Sequence, residues 1–124
     1  MKLTVTKRFS FEACHYLPRY DGACHNLHGH SYDLEVTVTG EVQGYGVKEG
    51  MIIDFKDLKS VVKKHIVDEL DHSNLNDTFE NRTAEIMAMS IFVLLNKKLK
   101  EKGVCLTRVR LWETRDSFAE VTED

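Results

Sequence analysis

Apolar and polar positions alternate along residues 2–15. Phe9, Phe11, Ala13 and His15 fall on one face, and Arg8, Ser10, Glu12 and Cys14 on the other. A period of two marks a strand with one buried face. Pro18, Asp21 and Gly22 break the alternation, so residues 16–27 read as a loop. It resumes at His28. His28, His30, Tyr32, Leu34, Val36 and Val38 then share a face opposite Ser31, Asp33, Glu35, Thr37 and Thr39. This second strand ends near Gly40, and residues 40–50 form a turn-rich connection.

The period then changes to that of a helix. Asp54 is placed to cap it, with Asp57 in the first turn. Phe55, Leu58, Val61, Val62, Ile66 and Leu70 recur at helical spacing. Residues 71–81 are polar and read as a loop. A second helix is expected from about Thr83 to Lys102, with Ile86, Met89 and Val93 on its apolar side. Gly103 after basic residues is its stop signal. Residues 104–114 read as a third strand and 117–121 as a short fourth. The order β-β-α-α-β-β describes one α+β domain over residues 1–124, a four-stranded antiparallel sheet with two helices on one face. The other face is left for a partner or ligand.

Composition narrows the setting. A net charge of −3 gives no global attraction to nucleic acid or an anionic membrane. No apolar run approaches a membrane span. The opening MKLTVTKRFSF reads as a strand rather than an apolar leader. Three cysteines, an odd count, favour free thiols in a reducing cytoplasm over a disulfide framework.

The histidines carry the chemistry. Spacing of two on a strand sets His28 and His30 side by side, and Gly29 between them permits close backbone approach. His15 ends the first strand on the matching face, so pairing of the two strands brings three imidazoles together. A lone histidine there is ordinarily a packed side chain. Three imidazole nitrogens with a position left open describe a catalytic zinc site. His25, out of phase in the loop, and His65, on the first helix, are read as structural.

Cys24 lies four positions before His28, near the proposed metal but off the strand. It is a fourth ligand, a buried small residue, or a base whose thiolate a nearby cation favours. Cys14 and Cys105 are read as packing residues. Asp71-His72 pairs a carboxylate with an imidazole it could orient. Glu113 continues the apolar row of Val109 and Leu111, where an unpaired carboxylate is costly. Either the strand has ended and Glu113 is exposed, or it receives a polar ligand such as a guanidine-like N–H pair.

Together these stretches resemble the 6-carboxy-tetrahydropterin synthases of the 6-pyruvoyl-tetrahydropterin synthase superfamily. The matching pieces, spread over nearly the whole chain, are FSFEACH, CHNLHGHSYDLEV, GMIIDFKDLK, LDHSNLN, RTAE and LWET. The three-residue gap between Cys24 and His28 is similar to the carboxy-tetrahydropterin type. The resemblance implies zinc on His15, His28 and His30, Cys24 as the proton-abstracting base, and Asp71 with His72 as a relay. It implies Glu113 as the anchor of a pterin's 2-amino-pyrimidine edge, with Thr83 beside it. It also implies the T-fold, in which trimers close a twelve-stranded barrel and stack as a homohexamer with active sites between subunits. One position departs: Arg82 stands where the family usually has proline, which is favoured at a helix start.

The implied activity is a cytoplasmic zinc-dependent lyase acting on 7,8-dihydroneopterin triphosphate in queuosine biosynthesis. Its products would be 6-carboxy-5,6,7,8-tetrahydropterin, acetaldehyde and triphosphate. Lys7, Arg8 and Arg115 are the basic candidates for the phosphates. The alternatives are pyruvoyl-tetrahydropterin synthase chemistry, or a non-enzymatic assembly module with Cys24 closing a four-ligand zinc.

Overall fold

A computed structural model describes residues 1–17, 22, 26–80 and 82–123. Strand β1 runs Val5–His15 and β2 runs His28–Thr39, antiparallel along their whole lengths. Helix α1 opens at Phe55–Val62, passes through a π-helical turn at Lys63–Val67 and closes with Asp68–Leu70. A two-residue strand β3, Ser73–Asn74, and a 3₁₀ turn at Leu75–Asp77 follow. Helix α2 is Ala84–Lys100, and β4 (Cys105–Thr114) and β5 (Ser117–Thr122) complete the chain. The sheet order is β3-β1-β2-β4-β5, five strands where four were expected.

The extra strand lies in the stretch read as a polar loop. Leu75 there is fully buried, and its apolar side chain draws the segment against β1. Ser73 and Asn74 pair in parallel with Ala13 and Cys14. A single buried leucine among polar residues has no period, so alternation could not reveal it.

The helix ends follow their sequence signals. The Asp54 carboxylate accepts from the Lys56 N–H at 2.9 Å. Thr83 Oγ1 accepts from the Ile86 N–H at 3.3 Å and caps α2. Gly103, at φ +78°, sits past the end of α2 in the left-handed region that glycine tolerates.

The core lies between the sheet and the helices. Phe11, Tyr32, Leu34, Val36, Leu106, Val109 and Leu111 come from the strands; Leu58, Val62 and Ile66 come from α1. Phe55, placed on that stripe by spacing, is half exposed. On α2 the buried face is Ala84, Met87, Ala88, Ile91, Leu95 and Leu99. Ile86, Met89 and Val93, expected on the apolar side, are exposed. The helix is apolar on more than one side, and the continuous row Met87–Ile91–Leu95–Leu99 fits the sheet. Cys105, read as packing, is exposed at the start of β4.

The opposite sheet face is a lattice of charges. Asp33 accepts from Ser10 Oγ at 2.5 Å and from Arg8 at 2.9 Å. Arg110 bonds Glu120 through Nε and Nη2, and Trp112 Nε1 donates to Glu35 at 2.6 Å. Hydrogen bonds from Ser10 and Arg8 hold the Asp33 carboxyl below its usual range.

The packing of α2 predicts opposite costs at neighbouring methionines. Met87→Ala should cost about 2–5 kcal/mol of unfolding free energy, and Met89→Ala clearly less. Denaturant unfolding of the two variants measures this, and the reverse order would contradict the described face.

Candidate metal centre

The β1–β2 register sets His15 opposite His28 and Ala13 opposite His30. The three imidazole rings lie 4.6–5.0 Å apart, centroid to centroid. All three project to the helix-covered face, at the end of the core, as their strand phase requires. His15 is 1% exposed and His28 and His30 are half-buried.

Hydrogen bonds fix which nitrogen of two of the rings carries a proton. His15 Nδ1 lies 3.1 Å from the Arg82 carbonyl oxygen, and His28 Nδ1 lies 2.7 Å from that of Asn26. A carbonyl only accepts, so each Nδ1 donates, and in the neutral ring Nε2 is a lone pair. Yet the two Nε2 atoms face one another at 3.0 Å. Two lone pairs at that distance repel unless a cation lies between them. His30 Nε2 is likewise buried, without a hydrogen-bond partner among the described residues. Burial pushes the His30 imidazole below its ordinary range, against the opposing pull of Glu113, and so favours the neutral ligand form. Tyr32 closes the floor, its hydroxyl 3.4 Å from His15 Nδ1, and burial drives that phenol up, so it stays protonated.

Glu113 completes the group. Its Oε1 lies 3.1 Å from His30 Nε2 and 3.5 Å from His15 Nε2. The side chain is 26% exposed, so the strand has not ended in solvent. The ligand atoms of His15, His28, His30 and Glu113 all lie within 4.8 Å of one another. Three imidazoles and a carboxylate form a donor set that suits zinc or a similar divalent ion.

Asp71 and His72 are built into the β1 edge. Asp71 Oδ1 accepts from the Glu12 N–H at 2.9 Å, and Oδ2 lies 3.1 Å from His72 Nδ1. The Glu12 N–H is the first cause holding the Asp71 carboxyl below its ordinary range. His72 has φ +60°, a left-handed conformation held by its N–H bonding to Glu12 O. Its side chain is 80% exposed. His72 and His30 line one cleft of about 560 Å³, together with Cys14 and Gly29. A Cβ at Gly29 would meet nothing closer than the Ala13 carbonyl at 3.8 Å, so the space above it is open.

Of the residues singled out from sequence, His15, His28, His30 and Glu113 converge, and Asp71 and His72 join at the neighbouring cleft. Cys24 and His25 lie outside the described residues. Thr83 contributes its hydroxyl to the α2 cap. Arg8, a phosphate candidate, is engaged by Asp33 and Glu35.

Sequence reasoning missed the supports. The Arg82 and Asn26 carbonyls orient two ligands, and no side-chain identity announces a backbone acceptor. Asn76 clasps the residue after His15: its Oδ1 accepts from the Tyr16 N–H at 3.0 Å, and its Nδ2 donates to the Tyr16 carbonyl at 3.2 Å. Partners that orient a metal-binding ring tune its affinity for the ion. The asparagine of LDHSNLN was the available signal.

Known proteins share this chain's pattern. The family described as 6-pyruvoyl tetrahydropterin synthase matches residues 4–124. A Haemophilus influenzae protein named 6-carboxy-5,6,7,8-tetrahydropterin synthase is 38% identical over 141 residues, covering 96% of this chain and 98% of the relative. A Pyrococcus furiosus protein named dihydroneopterin monophosphate aldolase is 39% identical, covering 98% of each chain. The structure of Caenorhabditis elegans 6-pyruvoyl tetrahydropterin synthase superposes with a TM-score of 0.77 at 26% identity, over 98% of this chain and 96% of that one. The fold is therefore the T-fold expected from sequence, with β3 added at its edge.

The donor geometry predicts that His30→Ala strips the metal. Elemental analysis of the purified variant should find well under one ion per chain. Full occupancy would contradict the assignment.

Proposed function

This chain belongs to the 6-pyruvoyl tetrahydropterin synthase family and is a lyase of it; on that premise we propose that it is a zinc enzyme converting 7,8-dihydroneopterin triphosphate to 6-carboxy-5,6,7,8-tetrahydropterin, acetaldehyde and triphosphate. The reaction would serve queuosine and other 7-deazaguanines in the cytoplasm. The observation that carries the zinc reading is the pair of Nε2 lone pairs facing at 3.0 Å. Similarity to the Haemophilus influenzae relative supports the choice of product. So does the three-residue gap between Cys24 and His28.

His15, His28 and His30 would hold the ion. When bound, zinc supplies Lewis acidity that lowers the pKa of the substrate's side-chain hydroxyls. Cys24 serves as the base that removes a carbon-bound proton from the side chain. Asp71, fixed by the Glu12 N–H, orients His72 through Nδ1 and leaves the other ring nitrogen to carry protons in the cleft. Glu113 offers two acceptor oxygens to the pterin's 2-amino-pyrimidine edge, beside Thr83. The proposed assembly is a hexamer of two stacked trimers, each closing a twelve-stranded barrel. The exposed edge strand β5 supports it, since proteins ordinarily cover such edges.

One second reading has an observation behind it. The Pyrococcus furiosus relative matches end to end and is named for an aldolase reaction on a dihydroneopterin monophosphate. A retro-aldol cleavage begins with a base taking a side-chain hydroxyl proton and breaks a carbon–carbon bond.

Incubation with 7,8-dihydroneopterin triphosphate, and separately with the monophosphate, tests the proposal. Acetaldehyde and a 6-carboxy pterin from the triphosphate are expected. Aldol cleavage of the monophosphate alone would replace this reading with the second, and retention of the whole side chain would point to the pyruvoyl reaction. Cys24→Ala should keep one zinc per chain and lose turnover by about 100-fold or more. Loss of zinc in that variant would make Cys24 a ligand instead.

A further inference from the structure

Among the described residues the Glu113 carboxylate has His15 and His30 as its ion-pair partners, and none of its ion pairs is with a lysine or arginine. His15 is in the form that turns its Nε2 lone pair inward, and the buried Nε2 of His30 has no hydrogen-bond partner among the described residues. A half-buried carboxylate facing lone pairs is as unfavourable as two lone pairs facing each other, unless all of them share a cation.

Four donors around one ion must lie close together: a tetrahedral site with bonds of about 2.0–2.1 Å has donor–donor edges of about 3.3–3.4 Å. Three of the six edges here are near that, 3.0 Å (His15–His28), 3.1 Å (His30–Glu113) and 3.5 Å (His15–Glu113), and all four donor atoms lie within 4.8 Å of one another.

The backbone explains how Glu113 gets there. In the β4–β5 ladder Trp112 pairs with Phe118 and Thr114 with Ser117, so Glu113 is the unpaired residue of a bulge. The β2–β4 ladder has already ended at Asp33–Trp112. A bulge re-aims a side chain and loosens the ladder around it. Glu113 is thus aimed at the metal donors from a backbone position with no cross-strand partner, and it keeps a quarter of its side chain open to solvent.

We propose that Glu113 is a displaceable metal donor: Oε1 closes the coordination shell with His15, His28 and His30 in the substrate-free enzyme, and an arriving pterin draws it off. The second half rests on the substrate reading given above; the first does not. An N–H pair that takes both carboxylate oxygens competes with the ion for Oε1 and re-aims the carboxylate. The fourth metal position therefore opens when the pterin edge is seated, and the ion is shielded from water and stray ligands until then. Recognition of the ring and exposure of the metal become one event.

The test uses the Co²⁺-substituted protein, whose visible absorption reports coordination number, together with Zn²⁺ competition against a chelator. Glu113→Gln keeps the shape, and Glu113→Asp keeps the charge but draws the carboxylate back by one methylene. Both should bind Zn²⁺ about 10-fold or more weakly than the unmodified protein, with a weaker Co²⁺ spectrum of higher coordination number. Far-ultraviolet circular dichroism confirms that each is folded. A dihydropterin lacking the side chain, which offers the metal no hydroxyl, should shift the unmodified spectrum toward that of Glu113→Gln. Equal Zn²⁺ affinity and identical Co²⁺ spectra in all three proteins would overturn the ligand assignment. Binding of the dihydropterin, seen by its fluorescence, without a spectral change would overturn the exchange. Absence of any dihydropterin binding would refute the substrate reading and the exchange with it. Glu113's place on the metal would then be decided by the cobalt and zinc data alone.

Discussion

The antiparallel register between β1 and β2 is the constraint on which the rest depends. It sets His15 across from His28 and the small Ala13 across from His30. A slip of one residue would turn every one of these side chains to the opposite face. Burial of Phe11, Tyr32, Leu34 and Val36 on the same face opposes that slip, because it would expose the core. The hydrophobic pattern that folds the sheet thus also aims the imidazoles. The stacked rings of Phe11 and Tyr32, 5.1 Å apart, pin the register one step from the ligands.

From that register the electrostatics follow. At the end of an apolar core burial favours the neutral form of His30, and backbone carbonyls from Arg82 and Asn26 choose the tautomer of His15 and His28. The three Nε2 atoms and the Glu113 carboxylate then share one small volume. The result is a site organised for a cation, with donor atoms positioned by strands rather than by loops. Asp71 and His72 stand on the other edge of β1, tied to the Glu12 backbone by two hydrogen bonds. Metal donors and a candidate proton relay are therefore fastened to opposite sides of one strand.

Alternation and helical spacing made the strands, the caps at Asp54 and Thr83, and the three histidines legible in the sequence. These are features that a period or a single side chain can announce. Glu113 was legible as an anomaly, a charge in an apolar row, but its aim at the histidines depends on a bulge that no residue type marks. The short β3 strand was not legible, because one buried leucine at position 75 carries no period. The face of α2 was misread because Ile86, Met89 and Val93 make a second apolar row, and only the sheet decides which row is buried. Arg82 appeared as a lost proline; the carbonyl it turns to His15 any residue could supply, while its guanidinium donates to the Asn76 carbonyl at 3.3 Å.

The central claim is that the metal is held by imidazoles and oxygen alone. X-ray absorption at the zinc edge of the loaded, substrate-free protein tests it most directly. The account predicts a first shell of nitrogen and oxygen at about 2.0–2.1 Å, with outer-shell scattering from three imidazole rings and no sulfur. A zinc–sulfur distance of about 2.3 Å would contradict it, placing a thiol on the metal and making the site a structural clasp.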